Sequence, residues 1–234
     1  MNEKHNDIIF DDYVDSYQKE IQSSINFIGQ EADFFLRLKA EKLINLVKKY
    51  FHDAAELKVL DVGSGVGLLD KYLIDNFKNI YGVDVEQGVV DRARQNNPAV
   101  NYKLYNGTSL PFDDGSIDLV FAVNVMHHVP PGNWQIFVLE MHRVLKGGGL
   151  AVVFEHNPYN PLTRMVVNRC EFDRDAILLK RKTLNKLFSS ADFNIAESSY
   201  IIFFPFKGKV FRTLEKPVGW LPLGAQYYVA GAKK

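Results

Sequence analysis

Leu60-Asp61-Val62-Gly63-Ser64-Gly65-Val66-Gly67 is a short apolar run that breaks into three alternating glycines. Upstream, residues from Leu57 extend it as a β-strand, and downstream Leu69, Tyr72, Leu73 and Phe77 recur at helical spacing, which predicts an amphipathic helix opening at the glycines. A strand that turns through glycine into a helix is the setting of a nucleotide loop. Without Cβ atoms a ligand reaches the backbone, and the free N–H groups of a helix N-terminus point at it. A tight turn also requires glycine on steric grounds alone, so the loop by itself leaves both readings open.

Outward from the loop the chain alternates short Val- and Ile-rich runs with helical segments. The runs are LKVLDVG (57–63), NIYGVDV (79–85), NYKLY (101–105), IDLVFAV (117–123) and GLAVVFE (149–155). Several are apolar on both faces, as a parallel sheet between two helical layers requires. A helix carrying Trp134, Phe137, Val138, Met141, Val144 and Leu145 is predicted to end at Lys146-Gly147-Gly148-Gly149, a basic last turn followed by a glycine cap. Beyond the fifth run come Pro158, Pro161, a charged segment to Lys182, a short helix with Leu184, Leu187 and Phe188 inward, and two strands near Asn194–Phe204 and Gln226–Ala232. Before the loop, one helical pattern covers about Tyr13 to Phe27. A stronger one places Leu36, Ala40, Leu43, Val47 and Tyr50 on one stripe.

The 234 residues are 47% hydrophobic, enough for a large core in one domain with a cap. Lys+Arg 28 against Asp+Glu 28 leaves no overall basic field, which argues against a general nucleic-acid binder. Cys170 is the only cysteine, so there is no intrachain disulfide and no thiolate metal cluster, as expected of the cytoplasm. The opening MNEKHNDIIFDDYVDSY is too acidic for a signal peptide, and no apolar run is long enough to span a bilayer.

Asp84 ends the second run 23 positions after Asp61, close to the offset at which a carboxylate reaches a ribose diol. Its other reading is a helix N-cap, with Gln87 completing a capping box. Asn106-Gly107-Thr108-Ser109-Leu110-Pro111-Phe112-Asp113 follows the third run at the same sheet edge.

With LDVGSGVG, GVDVEQGVVDRAR, NGTSLPFDDGSIDLVFAVNVMHHV and EMHRVLKGGGLAVVFE in that order, the stretch from about Phe10 to Phe204 resembles the class I S-adenosylmethionine-dependent methyltransferases. The likeness is closest to the small-molecule branch that includes ubiquinone and menaquinone biosynthesis enzymes. It implies an α/β, Rossmann-like seven-stranded sheet of order 3-2-1-4-5-7-6, the last strand antiparallel, with helices on both faces and an N-terminal helical cap. The implied cofactor is S-adenosyl-L-methionine, leaving as S-adenosyl-L-homocysteine. By the same resemblance Asp61, Gly63, Ser64 and Gly65 hold its methionine part, Asp84 its ribose and Val85 its adenine. Asn106 and Gly107 stand where this branch usually has an aspartate for the adenine amino group, Asn124 lines the methyl-donor end, and Tyr17 closes over the cofactor.

A dinucleotide oxidoreductase is the rival, but its fingerprint wants glycine where this chain has Leu68. The remaining alternative is a cofactor-binding module without turnover, or a subunit of a heteromer. For an enzyme, His127 and His128 after the fourth run are the candidate bases, with packing or capping as their other reading. Glu155 and His156 after the fifth run are a second pair on the substrate side, or a polar loop bonding its own backbone. No metal is expected, because the Asp, Glu and His residues show no ligand spacing along the chain. The implied divisions are a cap at 1–52, a cofactor-binding core at 53–155 and substrate-side helices with C-terminal strands at 156–234. The expected partner is a small or lipid-linked acceptor, not nucleic acid. Phe203, Phe204, Phe206, Phe211, Trp220 and Leu221, interleaved with Lys207, Lys209, Arg212 and Lys216, read as packing between the last strands, a dimer interface or a peripheral membrane contact.

Overall fold

Alternating side chains of the central strands are buried on both sides, and this builds the three layers. In the computed structural model, which describes residues 32–204, 206 and 209–234, Leu119, Phe121, Leu150, Val152 and Phe154 enter one core, while Val120, Ala122, Ala151 and Val153 enter another across the sheet. The strands are β1 (Lys58–Val62), β2 (Asn79–Asp84), β3 (Asn101–Leu104), β4 (Ile117–Val123), β5 (Leu145–His156), β6 (Phe193–Ile201) and β7 (Gln226–Lys233). Their order is β3-β2-β1-β4-β5-β7-β6, with β7 antiparallel to both neighbours, as the resemblance implied.

One face is covered by α1 (Ala32–Tyr50), which buries Ala40, Leu43, Leu46 and Val47, and by α2 (Gln87–Asn96), which buries Val90 and Ala93. The other face carries α3 (Trp134–Val144), with Phe137, Val138, Met141 and Val144 inward, and α5 (Arg181–Ser190), with Leu184 and Phe188 inward. Between these last two lies α4 (Pro161–Arg169), capped by the Asn160 side chain, which accepts from the Thr163 N–H. A short α6 (Lys209–Glu215) precedes β7. Tyr17 and the pattern at 13–27 lie outside the described residues.

Two sequence expectations are corrected. The helix expected after the glycine loop is a series of turns containing a single 3₁₀ turn, Asp70–Tyr72. The carbonyls of Val66 and Gly67, which a helix would use for its first turn, instead accept from the side-chain amides of Asn96 and Asn97 at 2.8 Å each. At the other site, Lys146 and the glycines after it do not cap a helix. The chain is already extended at Leu145, and the run 145–149 belongs to β5, where the pairing with β4 shifts register between Ile117 and Leu119.

Register sets the site. Asp61 lies beside Gly82 and Val62 beside Val83, so the β1 and β2 tips are level, and β4 flanks β1 on the other side. The strand order reverses between β1 and β4, the place where open α/β sheets leave a crevice.

Candidate functional site

Gly63 takes a left-handed φ of +75°, and a Cβ built there would lie 2.6 Å from a Val125 methyl, so no larger residue fits the turn. The Gly63 and Ser64 N–H groups both donate to the Val83 carbonyl, at 2.8 and 3.0 Å, which folds the loop toward β2. The Gly65 N–H then donates to Asp84 Oδ2 at 2.9 Å, so the two strand tips face and touch each other. Asp84 Oδ1 accepts from the N–H groups of Val85 and Glu86, at 2.8 and 3.3 Å. The N-cap position of α2 is Glu86, and Gln87 bonds Asp91, so the capping-box reading of Asp84 does not hold.

Three carboxylates collect here. Asp61 is 3% exposed, its Oδ1 has no hydrogen-bond partner, and burial with Asp70 and Asp84 nearby pushes its carboxyl well above the usual range. Asp70 is raised by burial too, although Tyr102 donates to its Oδ2 at 2.6 Å. Burial also raises Asp84, against the pull of the three N–H groups it accepts from. Among the described residues no basic side chain pairs with any of the three. The Ser64 hydroxyl is likewise buried and unpaired. An adenosyl sulfonium with an ammonium group fits this deficit, because a cation is what the orphaned oxygens lack.

At the β3 tip, Asn106 Oδ1 accepts from Thr108 N, Thr108 Oγ1 and Ser109 N at 2.8 to 3.1 Å, which leaves that oxygen no lone pair for an adenine amino group. Its role here is to hold its own loop. Val85 is 59% exposed and faces the Cβ-free Gly107. A cavity of about 10 Å³ beside them, room for one water, lies between Val62, Tyr105, Gly107, Leu110 and Phe137.

Across the switch point, Asn124 ends β4 with φ +57°, and its Oδ1 faces Gln226 Nε2 at 3.4 Å. The next turn brings Met126, His127 and His128 over the sheet edge. Glu155, fully buried, accepts from Val125 N (3.1 Å) and Met126 N (2.7 Å) through Oε1 and meets His127 Nδ1 at 2.6 Å through Oε2. Glu155 and His156 therefore belong to β5, paired with Tyr227 and Gln226, and the polar-loop reading is overturned.

Asp173, from the segment after α4, closes the cluster. Its Oδ1 lies 3.5 Å from His127 Nε2 and 3.4 Å from His128 Nε2. Burial opposes a charge on His127, but Glu155 and Asp173 outweigh it and lift the imidazole to about 9. Burial and the neighbouring His127 lower His128, and the same two causes push His156 down to about 3. The segment is tied in place by the Ile177 N–H on the His127 carbonyl and by Tyr227 Oη on the Leu179 carbonyl.

Two residues were not singled out from the sequence. Asp173 lies in a run of mixed charge that reads as a solvated surface. Lys39 carried a signal, because it lies three residues after Leu36 and four before Leu43, within the apolar stripe. It is 3% exposed without a hydrogen-bond or ion-pair partner among the described residues, and burial, partly offset by Glu155, lowers it to about 8. Lys39→Met should therefore raise stability at neutral pH by ~1–3 kcal/mol in urea melts. The wild type should gain stability as pH rises from about 8 toward the unfolded lysine value of about 10.4, where the unfolded chain binds more protons. Lys39→Met should lack that rise, and a variant that melts earlier than wild type at pH 7 would refute the account.

Spacing along the chain shows no ligand set, but the fold brings three possible donors together. Donor atoms of His127, His128 and Asp173 all lie within 4.8 Å of one another.

Comparisons with known proteins agree with this architecture. Residues 60–153 match the family model described as "Methyltransferase domain". An uncharacterized methyltransferase of Synechocystis is 36% identical over 104 residues, 44% of this chain and 49% of that protein. A ubiquinone biosynthesis O-methyltransferase of Rickettsia bellii is 30% identical over 120 residues, 50% of this chain and 49% of that protein. The chain thus spans about half the length of these curated relatives. A solved structure from Thermotoga maritima, titled a SAM-dependent methyltransferase and possible histamine N-methyltransferase, superposes with a TM-score of 0.62 at 20% identity, covering 92% of this chain and all of that one. At that identity it speaks to the fold alone.

Proposed function

We propose that this chain, whose residues 60–153 match a methyltransferase domain, is a class I S-adenosylmethionine-dependent methyltransferase that transfers a methyl group to an oxygen or carbon of a small or lipid-linked acceptor. One observation carries the reading: the buried carboxyls of Asp61 at the β1 tip and Asp70 in the turn after it, each with an oxygen that lacks a partner, lie across the switch point from an imidazole–carboxylate cluster at the β4 and β5 tips. When bound, the donor supplies a methyl already activated on a positive sulfur, and the bond-making step itself asks for no metal.

The chain's own groups then have distinct work. Asp61, with its free Oδ1, takes the ammonium, and Ser64 its neighbouring polar atoms, while Gly63 and Gly65 let the backbone approach. Asp84 accepts from the ribose, Val85 and Gly107 receive the adenine, and Asn124 lines the methyl end. Asn106 contributes by shaping its loop. His127 and His128 handle the acceptor's proton, and Glu155 and His156 form the floor of the acceptor side. Holding acceptor and methyl carbon in line contributes ~7–11 kcal/mol in well-arranged cases, more than a single acid–base residue.

In the proposed division, 1–52 caps the cleft, 53–155 holds the donor and 156–234 shapes the acceptor side. Exposed Leu162, Met165, Ile177, Trp220 and Leu223 on the latter segment support an apolar or lipid-linked acceptor. Among the described residues no helix is long and apolar enough to cross a membrane. A cytoplasmic protein is the proposed setting. Leu68 at the position where a dinucleotide loop wants glycine keeps an oxidoreductase behind this reading.

The test is calorimetry with S-adenosylhomocysteine, followed by labelled donor and a panel of phenols, quinols and amines. Binding, with label moving into a hydroxylated acceptor, is the expected result. No binding would remove the donor assignment, and label found only on amines would overturn the preference for oxygen or carbon.

A further inference from the structure

His127 Nε2, His128 Nε2 and Asp173 Oδ1 form a triangle whose two measured sides to Asp173 are 3.5 and 3.4 Å. Both are longer than a good N–H···O hydrogen bond. Ligands at 2.0–2.2 Å on the corners of a tetrahedron are about 3.4 Å apart, so these lengths match the edge of a metal-binding tetrahedron. One donor atom from each of the three residues lies within 4.8 Å of the other two.

The surroundings supply what such a site needs. Glu155 Oε2 lies 2.6 Å from His127 Nδ1, so the carboxylate takes one ring nitrogen and turns the other toward Asp173, the arrangement that orients ligating histidines. Glu155 is itself fixed by the Val125 and Met126 N–H groups. The His127 side chain is 1% exposed, that of Asp173 14% and that of His128 46%, so the triangle is buried on one side and open on the other. A closed structural centre would have four protein ligands. Three with an open side leave a position for water or an acceptor.

We propose that these three atoms bind a zinc-like divalent cation, with the open position directed to an oxygen of the methyl acceptor. The inference rests on reading this sheet edge as the acceptor side. With the cation bound, the histidines serve as ligands and no longer as the bases that take the acceptor's proton. A hydroxyl oxygen beside the cation ionises near neutral pH, its proton passes to water, the O–C bond forms as the S–C bond breaks, and the sulfur leaves as a neutral thioether. The acceptor class is thus a hydroxylated one, rather than an amine or an unactivated carbon.

Cobalt(II) titration of the full chain, read by visible absorption, tests the site apart from turnover. The expected result is one equivalent giving bands of tetrahedral intensity with no sulfur charge-transfer band, displaced by zinc. Asp173→Asn and His128→Ala should each weaken cobalt binding at least tenfold while binding S-adenosylhomocysteine like wild type, which shows that they are folded. Octahedral weak bands only, or unchanged cobalt affinity in both variants, would overturn the proposal. Neither result bears on donor binding, which is measured separately by calorimetry, so the two readings fail independently.

Discussion

Replacing Glu155 by alanine is expected to cost the folded state about 3–5 kcal/mol, the usual result of removing one partner from a buried ion pair. The side chain is fully buried and satisfies three donors: the Val125 N–H, the Met126 N–H and His127 Nδ1. Alanine strands two backbone N–H groups and takes the acceptor away from His127 Nδ1, leaving Asp173 as the remaining carboxylate beside that buried ring. For a chain of this size the melting temperature should fall by on the order of 10 °C. Glu155→Gln, which keeps an acceptor for the backbone, should lose less. Equal melting of wild type and Glu155→Ala in urea and heat would show that the network does not hold the turn.

Asp84→Ala should weaken S-adenosylhomocysteine binding at least a hundredfold with little change in stability. Two hydrogen bonds from a ribose to a carboxylate contribute about 1.5–3 kcal/mol each. In the structure that carboxylate is engaged by Gly65, Val85 and Glu86 N–H groups, of which Val85 and Glu86 are exposed and can turn to water. A ribose hydroxyl bound at Oδ2 would share that oxygen with the Gly65 N–H. Asp84→Asn, retaining one acceptor oxygen, should fall between. Calorimetric affinity within threefold of wild type for the alanine variant would place the ribose elsewhere.

What the sequence disclosed and what it concealed follow from range. Strands β1, β4 and β5 were legible because both of their faces are buried, so their runs stay apolar without alternation. The order of the last two strands came from the resemblance, since nothing local marks β7 as inserted between β5 and β6. The turns after Gly67 were misread as a helix because Leu69, Leu73 and Phe77 do face the core, as helical residues would. The competing bonds come from Asn96 and Asn97, far along the chain. His127 and His128 were visible as neighbours at a strand end. Asp173 joins them only through the tertiary contacts at Ile177 and Leu179, and a charge in a mixed run has no local signature of burial.

The same replacement of a helix by turns sets what the crevice refuses. A helix aimed at the loop would have offered positive potential to a phosphate, but here the chain forms a single 3₁₀ turn and three carboxyl groups line the crevice. A polyanionic adenine nucleotide is therefore expected to bind this crevice more weakly than an adenosyl compound that carries a cation.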